Sequence, residues 1–370
     1  MRADWESHLQ QWTAADVVDA ATAARIRAWE GRETRSQGLR WPVLIALTLG
    51  ALLIGAGVLL FVSAHWDELS PSGRIALVLL MVGVFHGAGA AAAVRFEGLA
   101  ITLHTVGTFA LGAGIALAGQ IFNLAEHWPS AFLLWAAGAA LAWALLRPWT
   151  QAALTAFLVP YWLAGEWWVR MRGLNSYYSA PAAAGICALS FTYLSARRGP
   201  ADGALRKVLC WLGGIALLPA AAYCALDTTK NVPSWQQQAP AWAVAVLGPM
   251  AVAVSLRGRG AVFNGMATAW SVLLTPIAAR TNDPILVYLW LALGAVGLSA
   301  WGIRESRPER INLGMAGFAL TVLGYYFSSV MDKLGRSASL MFLGILFLGG
   351  GWLMERMRRR LIAQIRPEAL

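Results

Sequence analysis

The sequence predicts an all-α, polytopic membrane protein of about twelve membrane-spanning helices, preceded by a short N-terminal helical hairpin. Three observations predict it. Of 370 residues, 58% are hydrophobic and 13% charged, against about 25% charged in soluble domains. Apolar runs of roughly 20 residues recur along the chain, the length that crosses a hydrocarbon core. Lysines and arginines gather at the ends of those runs, as the positive-inside rule requires. The net charge of +10 is therefore a topology signal. No basic stripe with interleaved aromatics occurs in a soluble domain, so nucleic acid is excluded as a partner.

Residues 1–40 read as a cytoplasmic helical hairpin. Asp4–Trp12 is expected as one helix and Ala14–Trp29 as a second, with Thr13 as its N-cap and Val17, Val18, Ala21 and Ile26 among its apolar positions. Six basic residues balance six acidic ones, unlike a polybasic lipid-binding tail. Forty residues are too few for an independent enzyme core, so the hairpin is expected to dock on the bundle or to bind a cytoplasmic protein partner. These residues are also too polar for a signal-peptide core, and the first span is expected to act as an uncleaved insertion signal.

The spans are expected at 41–64, 73–94, 98–123, 130–146, 149–169, 178–196, 206–226, 240–256, 261–279, 284–303, 311–330 and 337–356. With both termini cytoplasmic, 22 of the 29 basic residues fall inside and 7 outside. Arg170 and Arg172, in an outer loop, run against that bias. The chain divides into the hairpin 1–40, a four-helix unit 41–150, further membrane helices 151–356 and a basic cytoplasmic tail 357–370.

The stretch Gly112–Trp135 reads as the end of one span, a turn and the start of the next. Gln120, Asn123 and His127 share a helical face, led in by the small residues Gly112 and Ala116 that let a neighbouring helix approach. Trp128-Pro129-Ser130 closes the turn, with Pro129 suited to a first helical turn. Gln120, Asn123, Glu126 and His127 form a polar vestibule on one reading, and helix caps and inter-helix bonds on the other. The turn His65-Trp66-Asp67-Glu68-Leu69-Ser70-Pro71-Ser72 repeats the His-Trp and Pro-Ser pattern and suggests a duplicated two-span unit; Tyr325–Ser339 echoes it faintly. Convergence of these turns makes His65, Asp67, Gln120, Asn123, Glu126 and His127 the substrate-binding candidates. The imidazoles and carboxylates could serve a zinc ion or acid/base chemistry on a lipid headgroup. Without a supporting motif no metal and no cofactor is assigned. The alternative makes Trp66 and Trp128 interfacial anchors and the acids caps.

His86 and His104 lie inside the second and third spans as intramembrane polar residues, with inter-helix hydrogen bonding as the plainer role. Glu166 and Arg170 have the favourable order for an i,i+4 pair. Pro160 and Pro276 are expected to break their helices. Trp162, Trp167 and Trp168 are expected in an interfacial belt. Cys187, Cys210 and Cys224 lie in apolar runs without metal-ligand spacing and read as small packing residues.

The polar hairpin, GALLIGAGVLLFVSAHWDEL at 50–69 and GAGIALAGQIFNLAEHWPSAFLLWA at 112–136 together resemble an uncharacterised bacterial family of predicted membrane proteins, domain of unknown function 2157. The resemblance covers the first 150 residues. It implies a bacterial inner-membrane protein with a cytoplasmic N-terminal helical domain, and brings no activity. Twelve spans, little soluble mass, scattered glycines and proline breaks favour a transporter or lipid-handling carrier, in contact with membrane lipids and a lipid-linked or small-molecule substrate. A membrane-embedded enzyme acting on lipid-linked substrates, and a sensor or scaffold recruiting a partner through residues 1–40, stand as alternatives.

Overall fold

The computed structural model describes residues 4–37, 70–121, 127–174, 176–199, 201–226, 232–280 and 284–330, with single positions between 341 and 356. The described elements are all helical. They are α1 (Asp4–Ala14), α2 (Ala20–Gln37), α3 (Pro71–Ala92), α4 (Glu97–Ile121), α5 (Pro129–Leu146), α6 (Trp149–Gly173), α7 (Ala180–Leu194), α8 (Ala204–Leu226), α9 (Trp235–Arg257), α10 (Val262–Arg280), α11 (Pro284–Arg304) and α12 (Pro308–Tyr325). A 3-10 turn, Gly258–Ala261, joins α9 to α10, and a π turn, Tyr326–Val330, follows α12. The chain falls into two compact units, Met1–Leu80 and Met81–Leu370.

In the first unit the hairpin exists, but its turn lies later than the sequence suggests. Thr13 does not cap α2. Its hydroxyl donates back to the Leu9 carbonyl at 2.7 Å, inside the last turn of α1. Asp19 is the cap instead: its carboxylate accepts the Thr22 N–H at 3.3 Å, and the Thr22 hydroxyl, then that N–H, hold the carboxyl below its ordinary value. Val17 and Val18 therefore fall in the turn rather than on a helix face. Asp16 takes a left-handed φ of 57° there, which short polar side chains tolerate.

Each of the ten expected spans between residues 73 and 330 coincides with one helix; those at 41–64 and 337–356 lie outside the described residues. By length and hydropathy, seven described segments can cross a membrane, so the count of twelve is not reached on that ground. One of the seven, Trp235–Arg280, is 46 residues long and holds both α9 and α10. Among the helices not counted, α6 carries Gln151, Glu166, Arg170 and Arg172, and α7 has only 15 residues, about 22 Å of rise.

The second unit packs around α7, which is buried on nearly every face and contacts α8, α9 and α10. Its small residues explain this, because backbones can approach where no large side chain intervenes. A Cβ on Gly185 would stand 3.0 Å from Ala245 Cα of α9. A Cβ on Gly213 of α8 would come within 3.0 Å of the Ser190 carbonyl and the Leu194 N of α7. Cys187, Cys210 and Cys224 are buried and free, within the same apolar core. Trp270 and Trp290 lock α10 to α11 reciprocally, each indole N–H donating to the other's carbonyl at 3.0 and 3.1 Å.

The prolines do not break their helices. α6 runs through Pro160 and α10 through Pro276. A proline frees the carbonyl four residues earlier, and other groups take up that acceptor. The Tyr193 hydroxyl of α7 donates to the Ala156 carbonyl at 2.8 Å. The Thr275 hydroxyl donates to the Val272 carbonyl at 3.0 Å. Tyr193→Phe should thus cost about 1 kcal/mol in thermal unfolding. Adding Pro160→Ala, which returns an N–H to that carbonyl, should remove most of the cost.

Candidate functional site

Helices α3 to α6 hold two polar groupings among largely apolar residues. The first is built on the turn entering α5. Pro129 occupies the first turn of α5, as expected, with Trp128 before it. His127 Nε2 lies 3.0 and 2.9 Å from the two Glu166 oxygens. An ionised carboxylate has only acceptors, so the imidazole N–H donates. The Trp162 indole N–H donates to Glu166 Oε1 at 2.9 Å. The side chains of His127 and Glu166 are 48% and 35% exposed, so the pair is open at its surface.

Aromatic packing fixes this turn. The Trp128 ring stands edge-on to Phe132, Tyr161 and Trp168 at 5.7–6.1 Å. Gly165 makes room for it, since a Cβ there would lie 2.5 Å from the ring. The expected Glu166–Arg170 pair does not form: Glu166 turns to His127 and Trp162, which offer two donors, instead of pairing along its own helix. The expected tryptophan belt also divides by role. Trp167 is buried, its N–H donating to the Tyr178 carbonyl at 2.8 Å. Trp162 serves Glu166. Trp168 faces outward, under the Arg172 guanidinium at 4.8 Å.

The second grouping is buried except at His86, which is half-buried. His86 of α3 and His104 of α4 face each other with Nδ1 atoms 3.0 Å apart. A hydrogen bond between two ring nitrogens needs one N–H and one lone pair, so the pair holds a single proton between them. Each imidazole sits over a glycine of the other's helix: a Cβ on Gly89 would be 2.8 Å from the His104 ring, and one on Gly107 3.0 Å from the His86 ring. Gln151 of α6, fully buried, donates through Nε2 to the His104 carbonyl at 3.1 Å and to Thr108 Oγ1 at 2.8 Å. Its Oε1 has no partner among the described residues. The Trp135 N–H of α5 donates to the Thr108 carbonyl at 2.9 Å, its ring lying over Gly112. Gly112 thus gives the close approach its size predicts, whereas Ala116 is exposed.

His65, Asp67, Asn123 and Glu126 lie outside the described residues, as does the side chain of Gln120. The expected repeat of the His-Trp turn rests on residues outside that range too. Of the expected vestibule, His127 is placed, and its partners are Glu166 and Trp162. Glu166 was read as an acid near a span end; Gln151 was missed, its one local signal being an amide near the start of a span. What the sequence could not give was their partners, 39 and 47 positions away. A separate cavity of about 440 Å³ lies among α8, α10, α11 and α12, with an apolar lining that includes Leu217, Ala221, Trp270, Leu291 and Gly317. It includes none of the expected site residues.

Apolar helices of spanning length, with polar side chains turned inward upon one another, define an integral membrane protein. Residues 10–151 match the family described as predicted membrane protein (DUF2157), in agreement with the resemblance carried by the first 150 residues. The match takes in His86, His104, His127 and Gln151 and stops before Glu166. No curated protein and no solved structure matches the chain.

Proposed function

We propose that the chain is a carrier, a transporter or lipid-handling protein, whose helices α4–α6 open on a polar vestibule at the outer membrane face. The observation that carries this is the presence of two polar groupings on neighbouring helices that share α6. His127, Glu166 and Trp162 form the open one; the buried His104, Thr108 and Gln151, with the half-buried His86, form the enclosed one. Gln151 and Glu166 are separated on α6 by about 22 Å of helix. Ala136, Ala139, Leu158 and Phe132 pack between the helices as an apolar core. Buried polar side chains in apolar helices favour a path for a polar group, and an apolar stretch between two polar stations is what a gate requires. On this reading Gln120, Asn123, Glu126, His65 and Asp67 complete the vestibule. The full reading has twelve spans in a bacterial inner membrane, both termini cytoplasmic, and residues 1–40 presented to a cytoplasmic protein partner.

A second reading, a membrane-embedded enzyme acting on lipid-linked substrates, draws on the His127–Glu166 contact, in which a carboxylate orients an imidazole as it would a general base.

Native mass spectrometry of the full chain extracted from its own membrane tests the proposal. The wild-type protein should retain one lipid, lipid-linked sugar or small molecule. The His127→Ala/Glu166→Gln variant should retain it about tenfold more weakly, roughly 1.4 kcal/mol. Equal retention by both removes the vestibule. Conversion of the retained molecule by the wild type alone moves the assignment to the enzyme.

A further inference from the structure

Where the ends of α7, α9 and α11 meet, guanidinium groups outnumber the carboxylates that receive them. Arg197, Arg198 and Arg206 flank the α7–α8 turn, Arg257 and Arg259 the α9–α10 turn, and Arg304, Arg307 and Arg310 the α11–α12 turn; the acids are Asp202, Glu305 and Glu309. Arg310 is the most enclosed, at 1% exposure. Its Nη1 donates to Glu305 Oε2 at 2.7 Å, and its guanidinium lies over Trp301 at 4.5 Å. Its Nε and Nη2 are buried with no partner among the described residues. Those two nitrogens form one edge of the planar group, with parallel N–H bonds that fit two oxygens of a single oxyanion.

Arg197 repeats the arrangement. Its Nη1 donates to Glu309 Oε1 at 2.7 Å, which brings it to the first turn of α12, one residue from Arg310. Its Nε is also buried without a partner among the described residues. Through Glu309 the Arg197 guanidinium is held at the start of α12, where Arg307 and Arg310 also lie. Glu309 Oε2, buried and likewise unpartnered, can accept from a hydroxyl of the same ligand. Unpaired buried donors are costly, so an oxyanion that pairs several of them stabilises the fold.

We propose that this corner binds a phosphate group, free or carried by an anionic lipid headgroup, gripped by the Nε/Nη2 edge of Arg310 and by Nε of Arg197. A phosphate carries several oxygens, so it can receive donors from both elements, the α7–α8 turn and the start of α12. The corner lies on helices other than those of the proposed vestibule.

The test is thermal unfolding of the full chain, delipidated in detergent and followed by tryptophan fluorescence. It is titrated with inorganic phosphate and separately with dioleoylphosphatidylglycerol. Chloride at matched ionic strength and dioleoylglycerol are the phosphate-free controls. A rise in Tm with both phosphate probes and neither control is expected for a bare phosphate site. A rise with the phospholipid alone identifies the headgroup. Arg310→Lys keeps the charge and loses the paired edge, and should weaken the response about tenfold. Arg197→Gln, at a more exposed position, gives the same readout should the first variant fail to fold. No rise with either probe, or a rise unchanged in both variants, overturns the site.

Discussion

Glu305→Ala should lower the unfolding free energy by about 3–5 kcal/mol, the cost of breaking a buried ion pair from one side. Glu305 receives Arg257 Nη2 at 2.5 Å, Arg310 Nη1 at 2.7 Å and the Trp301 indole N–H at 2.6 Å. Removing it leaves two arginines facing each other, one of them 1% exposed. It also unties three turns at once, because Arg257 reaches the Ser195 carbonyl at 3.1 Å and Ser195 Oγ accepts from Asn264 at 2.8 Å. The same carboxylate sets a pH dependence. Burial alone would raise its pKa, but the bonds from Arg257, Trp301 and Arg310 outweigh burial and hold it at about 2, against a usual 4.5. A depressed carboxyl stabilises the fold fully above its unfolded value, and that stability fades as pH falls. Wild-type Tm should therefore drop between about pH 4.5 and 2, and Glu305→Gln, which cannot titrate, should lack that part of the drop.

Gly213→Ala should cost about 1–3 kcal/mol, the range for overpacking, and larger side chains more. The added methyl would meet the Ser190 carbonyl and Leu194 N of α7, and backbone inside a helix cannot turn aside as a side chain can. Gly214 is the built-in control. A Cβ there meets only Leu194 Cδ1 at 3.8 Å, so Gly214→Ala should be neutral or slightly stabilising through helix propensity. Thermal unfolding of both variants in one detergent separates contact from propensity. Equal losses would mean that α7 and α8 do not meet as closely as described.

Helix positions were legible because apolar runs of spanning length bounded by Arg, Gly or Pro are local features. The end of α5 at Leu146, before Arg147-Pro148, and the start of α12 at Pro308 can be read off a few residues. Partnerships were not local. Glu166 chose His127, 39 positions away, over Arg170 on its own helix, since two fixed donors outweigh one flexible pair. Pro160 was read as a break because its compensation comes from Tyr193, on another helix. The arginines were read only as orientation signals, yet Arg257, Glu305 and Arg310 form one bonded set. His86 and His104 were singled out as polar residues within apolar runs, but the glycines that seat them, Gly107 and Gly89, look like any others in a glycine-rich span.

The turns carrying Arg197, Arg257 and Glu305 meet at one end of their helices. The proposed threading has all three inside, and the His127–Glu166 turn outside. Sided labelling with a membrane-impermeant maleimide tests this threading most directly. The three native cysteines are buried, so single cysteines introduced at the exposed positions Ser130 and Arg259 report alone. Ser130→Cys should label in intact cells, and Arg259→Cys only after the membrane is opened. Labelling of both from the same side would contradict the threading and, with it, the vestibule.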